Sequence, residues 1–159
     1  MSYSLTPEIS FNANAGRYYQ LPPYTVLGYR DGSGALLNKN NGVSYIQCDH
    51  TVAGIEFNTS SSSKITIEGF YKWYNNYPFL LREQISLANL GADFGVIGNA
   101  PVSSASKGRS YGLELLAQQK LNRGFYGIMA FTLVRSDFTN AAGNFQPSAW
   151  DNQIGRAHV

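Results

Sequence analysis

The sequence predicts an all-β chain, an antiparallel meander of about five long strands that forms part of a larger transmembrane β-barrel. Three observations carry this expectation. Apolar and polar residues alternate with period two over segments of more than ten residues, whereas strands most often run about 5–6 residues in soluble sheets. Short polar turns join the segments at one end and long loops join them at the other. Aromatic residues collect where the segments end.

The first strand is expected over about residues 8–20, with Ile9, Phe11, Ala13, Ala15, Arg17 and Tyr19 against Glu8, Ser10, Asn12, Asn14, Gly16, Tyr18 and Gln20. One face is mainly apolar and the other polar, as a strand with two different neighbours requires. The second is expected over about 49–58, with Thr51, Ala53, Ile55 and Phe57 on its apolar face. The third, about 64–77, sets Ile65, Ile67, Gly69, Tyr71 and Trp73 against Lys64, Thr66, Glu68, Phe70 and Lys72. The fourth, about 109–121, sets Tyr111, Leu113, Leu115, Ala117 and Leu121 against Ser110, Gly112, Glu114, Gln118 and Lys120.

The fifth strand, about 125–138, is apolar on both faces at its start, so its orientation depends on the preceding turn. Leu121 to Phe125 fits a three-residue hairpin with Gly124 in the left-handed position. That hairpin pairs Leu121 with Phe125, Ala117 with Met129 and Leu115 with Phe131 on one outward face. A two-residue turn would reverse every side chain on the fifth strand. The remaining stretches, about 21–47, 78–107 and 139–153, are expected to be long external loops. Loops beyond about 15 residues are uncommon in compact domains unless they carry function.

Composition narrows the class. Aromatic and charged residues each make up 14% of the chain, against roughly 25% charged in an ordinary soluble domain. This deficit excludes an acidic solvating segment and a charge-laced coiled coil. A net charge of +2 with scattered Lys and Arg gives no footprint for nucleic acid. The longest aliphatic and aromatic runs are only a few residues, such as Phe79-Leu80-Leu81, so no helix of about 20 apolar residues is available to cross a bilayer. Tilted strands of about 9–11 residues do cross one, and their lipid-facing and lumen-facing residues alternate. Tyr18, Tyr19, Trp73, Tyr74, Tyr77, Phe57, Phe125 and Tyr126 lie near segment ends, where amphipathic rings meet a membrane interface. Lipid-facing backbone must be paired, so the sheet must close. Five strands are too few, because outer-membrane barrels begin at about eight. The chain is therefore expected to be one piece of a barrel.

Longer stretches resemble a known family. GRYYQLPPY (16–24) is similar to the end of a barrel strand and the start of an external loop in TonB-dependent outer-membrane receptors. KITIEGFYKWYNNYPF (64–79) resembles a later upward strand. KGRSYGLELLAQQKLNRGFYGIMAFTLVRSDF (107–138) resembles a GxE-containing downward strand, periplasmic turn and next upward strand. QPSAWDN (146–152) is similar to the loop that follows. The resemblance is closest to the carboxyl-terminal part of the barrel. It implies a barrel of about 22 strands with a plugged lumen, in the outer membrane of a Gram-negative bacterium. It also implies TonB-energised import of a siderophore, cobalamin or glycan, with no enzymatic role and no cofactor. The implied partners are outer-membrane lipid and an extracellular small-molecule or glycan ligand. TonB would engage only through parts of the receptor absent from this chain. The last six residues, IGRAHV, resemble the translation of a sequencing adapter. Residues 1–153 are thus expected to be barrel and 154–159 a non-native tail. A soluble all-β ligand-binding or adhesive module is the alternative reading.

Candidate sites are few. Gln47-Cys48-Asp49-His50 holds three ligand types, but on a strand Asp49 points away from the face of Cys48 and His50. With Cys48 alone and no further ligands at suitable spacing, no zinc site is expected. No Ser, His and acid arrangement points to catalysis. Glu56, Glu68, Lys72 and Glu114 are expected on one polar face, the ordinary wall of a barrel lumen. Asp31-Gly32-Ser33-Gly34 reads as a turn. Ligand contacts are expected from the loops, where Tyr24, Tyr29, Tyr77, Phe79, Phe94, Asn89 and Asn99 offer aromatic and amide surface. Loop packing and interface anchoring compete for the same residues.

Overall fold

A computed structural model describes residues 1–90 and 98–149. The candidate Phe94, the end of the 139–153 loop and the 154–159 tail lie outside the described residues. The elements are β1 (Ser2–Ser4), β2 (Ile9–Gln20), α1 (Tyr24–Leu27), α2 (Leu37–Asn40), β3 (Ile46–Ser60), β4 (Ser63–Leu80) and β5 (Ile85–Ser86). A 3-10 turn (Leu87–Asn89), β6 (Val102–Asn122), β7 (Phe125–Thr139) and β8 (Phe145–Pro147) follow. All strands join one antiparallel sheet in the order β1-β2-β3-β4-β6-β7-β8, with β5 on β4. The five long strands are β2, β3, β4, β6 and β7.

The two longest expected loops are shorter than the sequence pattern suggests. Between β2 and β3 lie α1 and α2, each a single turn. β4 and β6 continue their pairing beyond the alternation, through Tyr77↔Ser106, Phe79↔Ser103 and Leu80↔Val102. Register shifts between Tyr74 and Tyr77 and between Tyr77 and Phe79 interrupt the ladder, with Asn76 at φ 58°. A bulge breaks the period-two pattern while the strand goes on. Periodicity therefore lost β4 too early and found β6 too late.

The turn before β7 corrects a second expectation. Asn122, not Leu121, pairs with Phe125, and Arg123 (φ 52°) and Gly124 (φ 83°) form a two-residue loop with both residues left-handed. Such a loop alone would reverse β7. A register shift between Gln119 and Asn122 places one extra residue in β6 and restores the face. Ala117↔Met129 and Leu115↔Phe131 are therefore paired as the pattern predicts. The β3–β4 turn uses the same device, with Ser60↔Ser63 closing the loop and a shift between Asn58 and Ser60.

Among the described residues the buried hydrophobic side chains gather at the long-loop end of the sheet, where Ile46, Phe79, Leu80, Val102 and Phe138 lie at or near strand ends, and in the adjoining loops. Val26, Leu80, Leu87 and Val102 form a cluster among the loops, packed by Val43, Tyr77, Ile85, Leu90 and Ala100.

Candidate functional site

The register sorts the five long strands into two faces. Three successive rows on one face read Ile9–Phe57–Ile65–Ala117–Met129, Phe11–Ile55–Ile67–Leu115–Phe131 and Ala13–Ala53–Gly69–Leu113–Leu133. No member of these rows is polar, yet many of the side chains are exposed, including Ile55, Ile67, Leu113, Met129, Phe131 and Leu133. An exposed apolar surface of this extent needs a covering partner. The next row is Ala15–Thr51–Tyr71–Tyr111–Arg135, and the one beyond it Arg17–Asp49–Trp73–Arg109–Asp137. Tyr71 stacks on Tyr111 at 5.4 Å and 9°, and lies 3.9 Å from Trp73. Arg17 pairs with Asp49 at 2.6 Å, while Arg109 and Arg135 grip Asp137 at 3.1 and 3.2 Å. Apolar rows, then aromatic rings, then ion pairs reproduce the polarity profile from hydrocarbon to water. From Tyr111 to Leu121 the strand rises about 33 Å at about 3.3 Å per residue. A tilt of about 40° reduces that to about 25 Å, the height of a lipid-facing band.

The opposite face is mixed, with the row Asn14–Val52–Phe70–Gly112–Val134 running between more polar rows. Glu56, Glu68, Lys72 and Glu114 share it, with Glu68 directly opposite Glu114 and Lys64 donating to Glu56 at 3.0 Å. Cys48 and His50 also lie on this side, while Asp49 reaches Arg17 on the other. At its loop end Phe138 lies over Gly108, its cross-strand neighbour, where any Cβ would strike the ring. Tyr77 (4.6 Å) and Tyr74 (5.5 Å) complete an aromatic floor beneath the loops.

Above that floor the loops are fastened by asparagine amides. Fully buried Asn38 donates Nδ2 to the carbonyls of Val26 (2.8 Å) and Ala100 (3.0 Å), and its Oδ1 accepts the Val102 N–H (2.8 Å). Asn41 donates to the Val102 carbonyl, and the Ser104 hydroxyl accepts the Ser44 N–H. Asn89 donates to the carbonyls of Gln146 and Pro147, drawing in β8. Asp31 closes its own turn, one carboxylate oxygen accepting from Ser33 Oγ (2.6 Å), Ser33 N–H (2.9 Å) and Ala35 N–H (3.0 Å). These bonds, the Ser33 hydroxyl foremost, hold its carboxyl below the ordinary carboxylate range.

The residues anticipated as ligand contacts are distributed through this cap. Tyr24 is 83% exposed at the start of α1, and Asn99 is exposed beside Gly98, which abuts Thr25 and Val26. These two lie in one neighbourhood. Tyr29 and Tyr77 are half-buried, Phe79 is buried, and Asn89 is engaged with β8. Sequence reasoning missed Asn38 and Asn41, for which alternation gives no signal because a loop amide has no period. It also missed the Arg109–Asp137–Arg135 cluster, which becomes visible only once the register sets β6 beside β7.

The family model described as "TonB dependent receptor-like, beta-barrel" matches residues 1–157. The chain belongs to this family. No curated protein matches it. No solved structure matches it. TonB-dependent receptors are receptors and transporters of the Gram-negative outer membrane rather than enzymes, and the three apolar rows have the character of their lipid-facing wall. Among the described residues no helix is long and apolar enough to cross a membrane.

Proposed function

We propose that this chain is part of the wall and external cap of an outer-membrane receptor that captures a scarce nutrient and imports it with TonB-transmitted energy. The apolar rows face lipid, the Glu68–Glu114 face lines the lumen, and the loop cap faces outside the cell. The single observation that carries this reading is the unbroken apolar band across five strands, bounded by aromatic rings and then ion pairs. A soluble module would leave that band in water. The open sheet also needs further strands to close, because lipid cannot satisfy a free backbone edge.

The ligand reaches the cap first, and Tyr24 with Asn99 offers an aromatic face beside an amide. Tyr29, Tyr77, Phe79 and Asn89 support that surface from within the cap. A siderophore, cobalamin or glycan fits these chemistries. The test places lysine at Leu115 and, separately, at Glu114 in the full-length receptor, and follows assembly by heat-modifiable gel mobility. Leu115→Lys is expected to disturb assembly strongly, since a mid-bilayer lysine costs about 2–4 kcal/mol, while Glu114→Lys assembles. Equal tolerance of both changes overturns the assignment of faces.

A further inference from the structure

Two glycines shape the face opposite the apolar rows. A Cβ on Gly16 would lie 3.0 Å from the Tyr18 hydroxyl, and one on Gly112 would lie 3.0 Å from the Phe70 ring. Both rings therefore lie down on the sheet, over neighbours that carry no side chain. Between the levels of Tyr18 and Phe70 runs the row Gly16–His50–Lys72–Ser110–Ser136. Tyr74 stands in the same row as Tyr18 and packs on Phe138 at 5.5 Å.

The row is cationic, and its cation is unspent. Lys72 Nζ lies 5.3 Å from the centroid of the Phe70 ring, a contact that leaves its three N–H donors free to bond elsewhere. Among the described residues the ion pairs use Arg17, Lys64, Arg109 and Arg135, and Lys72 enters none. Ser110 sits directly across from it on β6, and His50 on β3, where Nε2 is buried and meets no hydrogen-bond partner among the described residues. Glu68 and Glu114 lie four residues further along β4 and β6, about 13 Å at about 3.3 Å per residue. The apolar row of Val52, Phe70 and Val134 intervenes. That separation exceeds the Debye length of about 8 Å at physiological salt, so these carboxylates do little to neutralise the ammonium.

The geometry points to a second binding site beneath the cap, where Lys72, with Ser110 beside it, takes the carboxylate of a small organic acid whose ring or planar body rests against Tyr18, Tyr74 and Phe70. The inference rests on the proposed reading that this face lines the lumen, and it gives the imported ligand a charge class. An ammonium framed by rings attracts a carboxylate more strongly than one surrounded by water, because the rings lower the local dielectric. Tyr18 is 51% exposed, so its ring is open to a ligand, and the row adjoins the aromatic floor that a ligand leaving the cap meets first.

The experiment uses the full-length receptor in detergent micelles and two fluorinated compounds of the same shape, 4-fluorobenzoate and its neutral counterpart 4-fluorobenzamide, with binding read by fluorine NMR line broadening. The benzoate is expected to bind about tenfold more tightly, the scale of one charge-assisted contact, with a preference that shrinks as salt is added. Lys72→Gln is expected to abolish the preference, and Lys72→Arg to keep part of it because the charge remains. Glu68→Gln is expected to change it by less than about twofold, being beyond the screening distance. Equal affinity for the two compounds, or a preference unchanged in Lys72→Gln, overturns the site. A wild type without preference whose melting temperature falls in Lys72→Gln also overturns it, since the ammonium is then held by a carboxylate of the receptor itself. Heat-modifiable mobility of the same samples separates the levels of failure. An assembled receptor without preference defeats this site alone, whereas equal tolerance of lysine at Leu115 and Glu114 defeats the lumen assignment beneath it.

Discussion

Leu113 on β6 is 56% exposed, while Leu80 at the end of β4 is 2% exposed. The first belongs to the wall, where apolar side chains point away from the protein and, on the proposed reading, the surrounding membrane completes their burial. The second belongs to the cap, where leucines pack on Val26, Leu87 and Val102 as in a soluble core. The wall is held by backbone ladders whose register repeats from strand to strand. The cap is held by a small core and a few side-chain amides, each used once. One molecule thus has two solvents, and the same residue type does different work in each.

The largest expected effect comes from breaking the cap at Asn38. Asn38→Ala removes the partner of two carbonyls and one N–H, all in or beside buried backbone. Unsatisfied buried groups cost about 1–3 kcal/mol each, so local stability should fall by about 4 kcal/mol. Hydrogen exchange on the full-length receptor should show deprotection at Val102 and across residues 24–45, with β2, β3 and the lower half of β6 unchanged. Deprotection spreading evenly through the sheet would mean that wall and cap do not behave as separate units.

The two leucines sharpen the same contrast. Leu80→Ala leaves a cavity in packed protein and should cost about 3 kcal/mol. Leu113→Ala should cost under about 1 kcal/mol, because lipid can follow the retreating side chain where a protein interior relaxes only partly. Denaturant-induced unfolding in bilayers measures both. Similar costs would show that Leu113 packs against protein, in which case the face assigned to lipid is covered by something else.

What was legible in the sequence divides along the same line. Lipid and lumen impose period two on every residue that crosses, so Ile65, Ile67 and Leu115 declared their side directly, and the family resemblance ordered the strands. The hairpin at Arg123-Gly124 was legible in outcome but not in means. Alternation requires β7 to keep its face, yet a shorter turn and a bulge achieve this as well as a longer turn does. The cap was barely legible. Asn38 is one of many asparagines in polar loops, and only the approach of Val26, Ala100 and Val102 distinguishes it. Phe79 and Asn89 carried plausible surface chemistry, but the fold buries one ring and engages the other amide, because β4 runs further than its pattern.

The smallest effect concerns a single turn of the cap and is read by pH. Asp31 accepts from Ser33 and Ala35, and its carboxyl is held below the usual range by those bonds. A group whose folded pKa is depressed contributes order that is fully present above its ordinary carboxylate value. That contribution is lost as pH falls through the depressed folded value. Between pH 7 and pH 5 the Ser33 and Ala35 amides should therefore keep their protection, after correction for intrinsic exchange. Below about pH 4, near the ordinary Asp value, protection should decline, while amides bonded to Asn38 remain unaffected because an amide side chain does not titrate. Asp31→Asn should remove the pH dependence and leave the turn partly formed at every pH, since an Asn oxygen still accepts but without charge. A decline shared by Val102 would tie the turn to the buried core. Confined to residues 31–35, it would show the cap to be a rigid centre with an independently titrating rim.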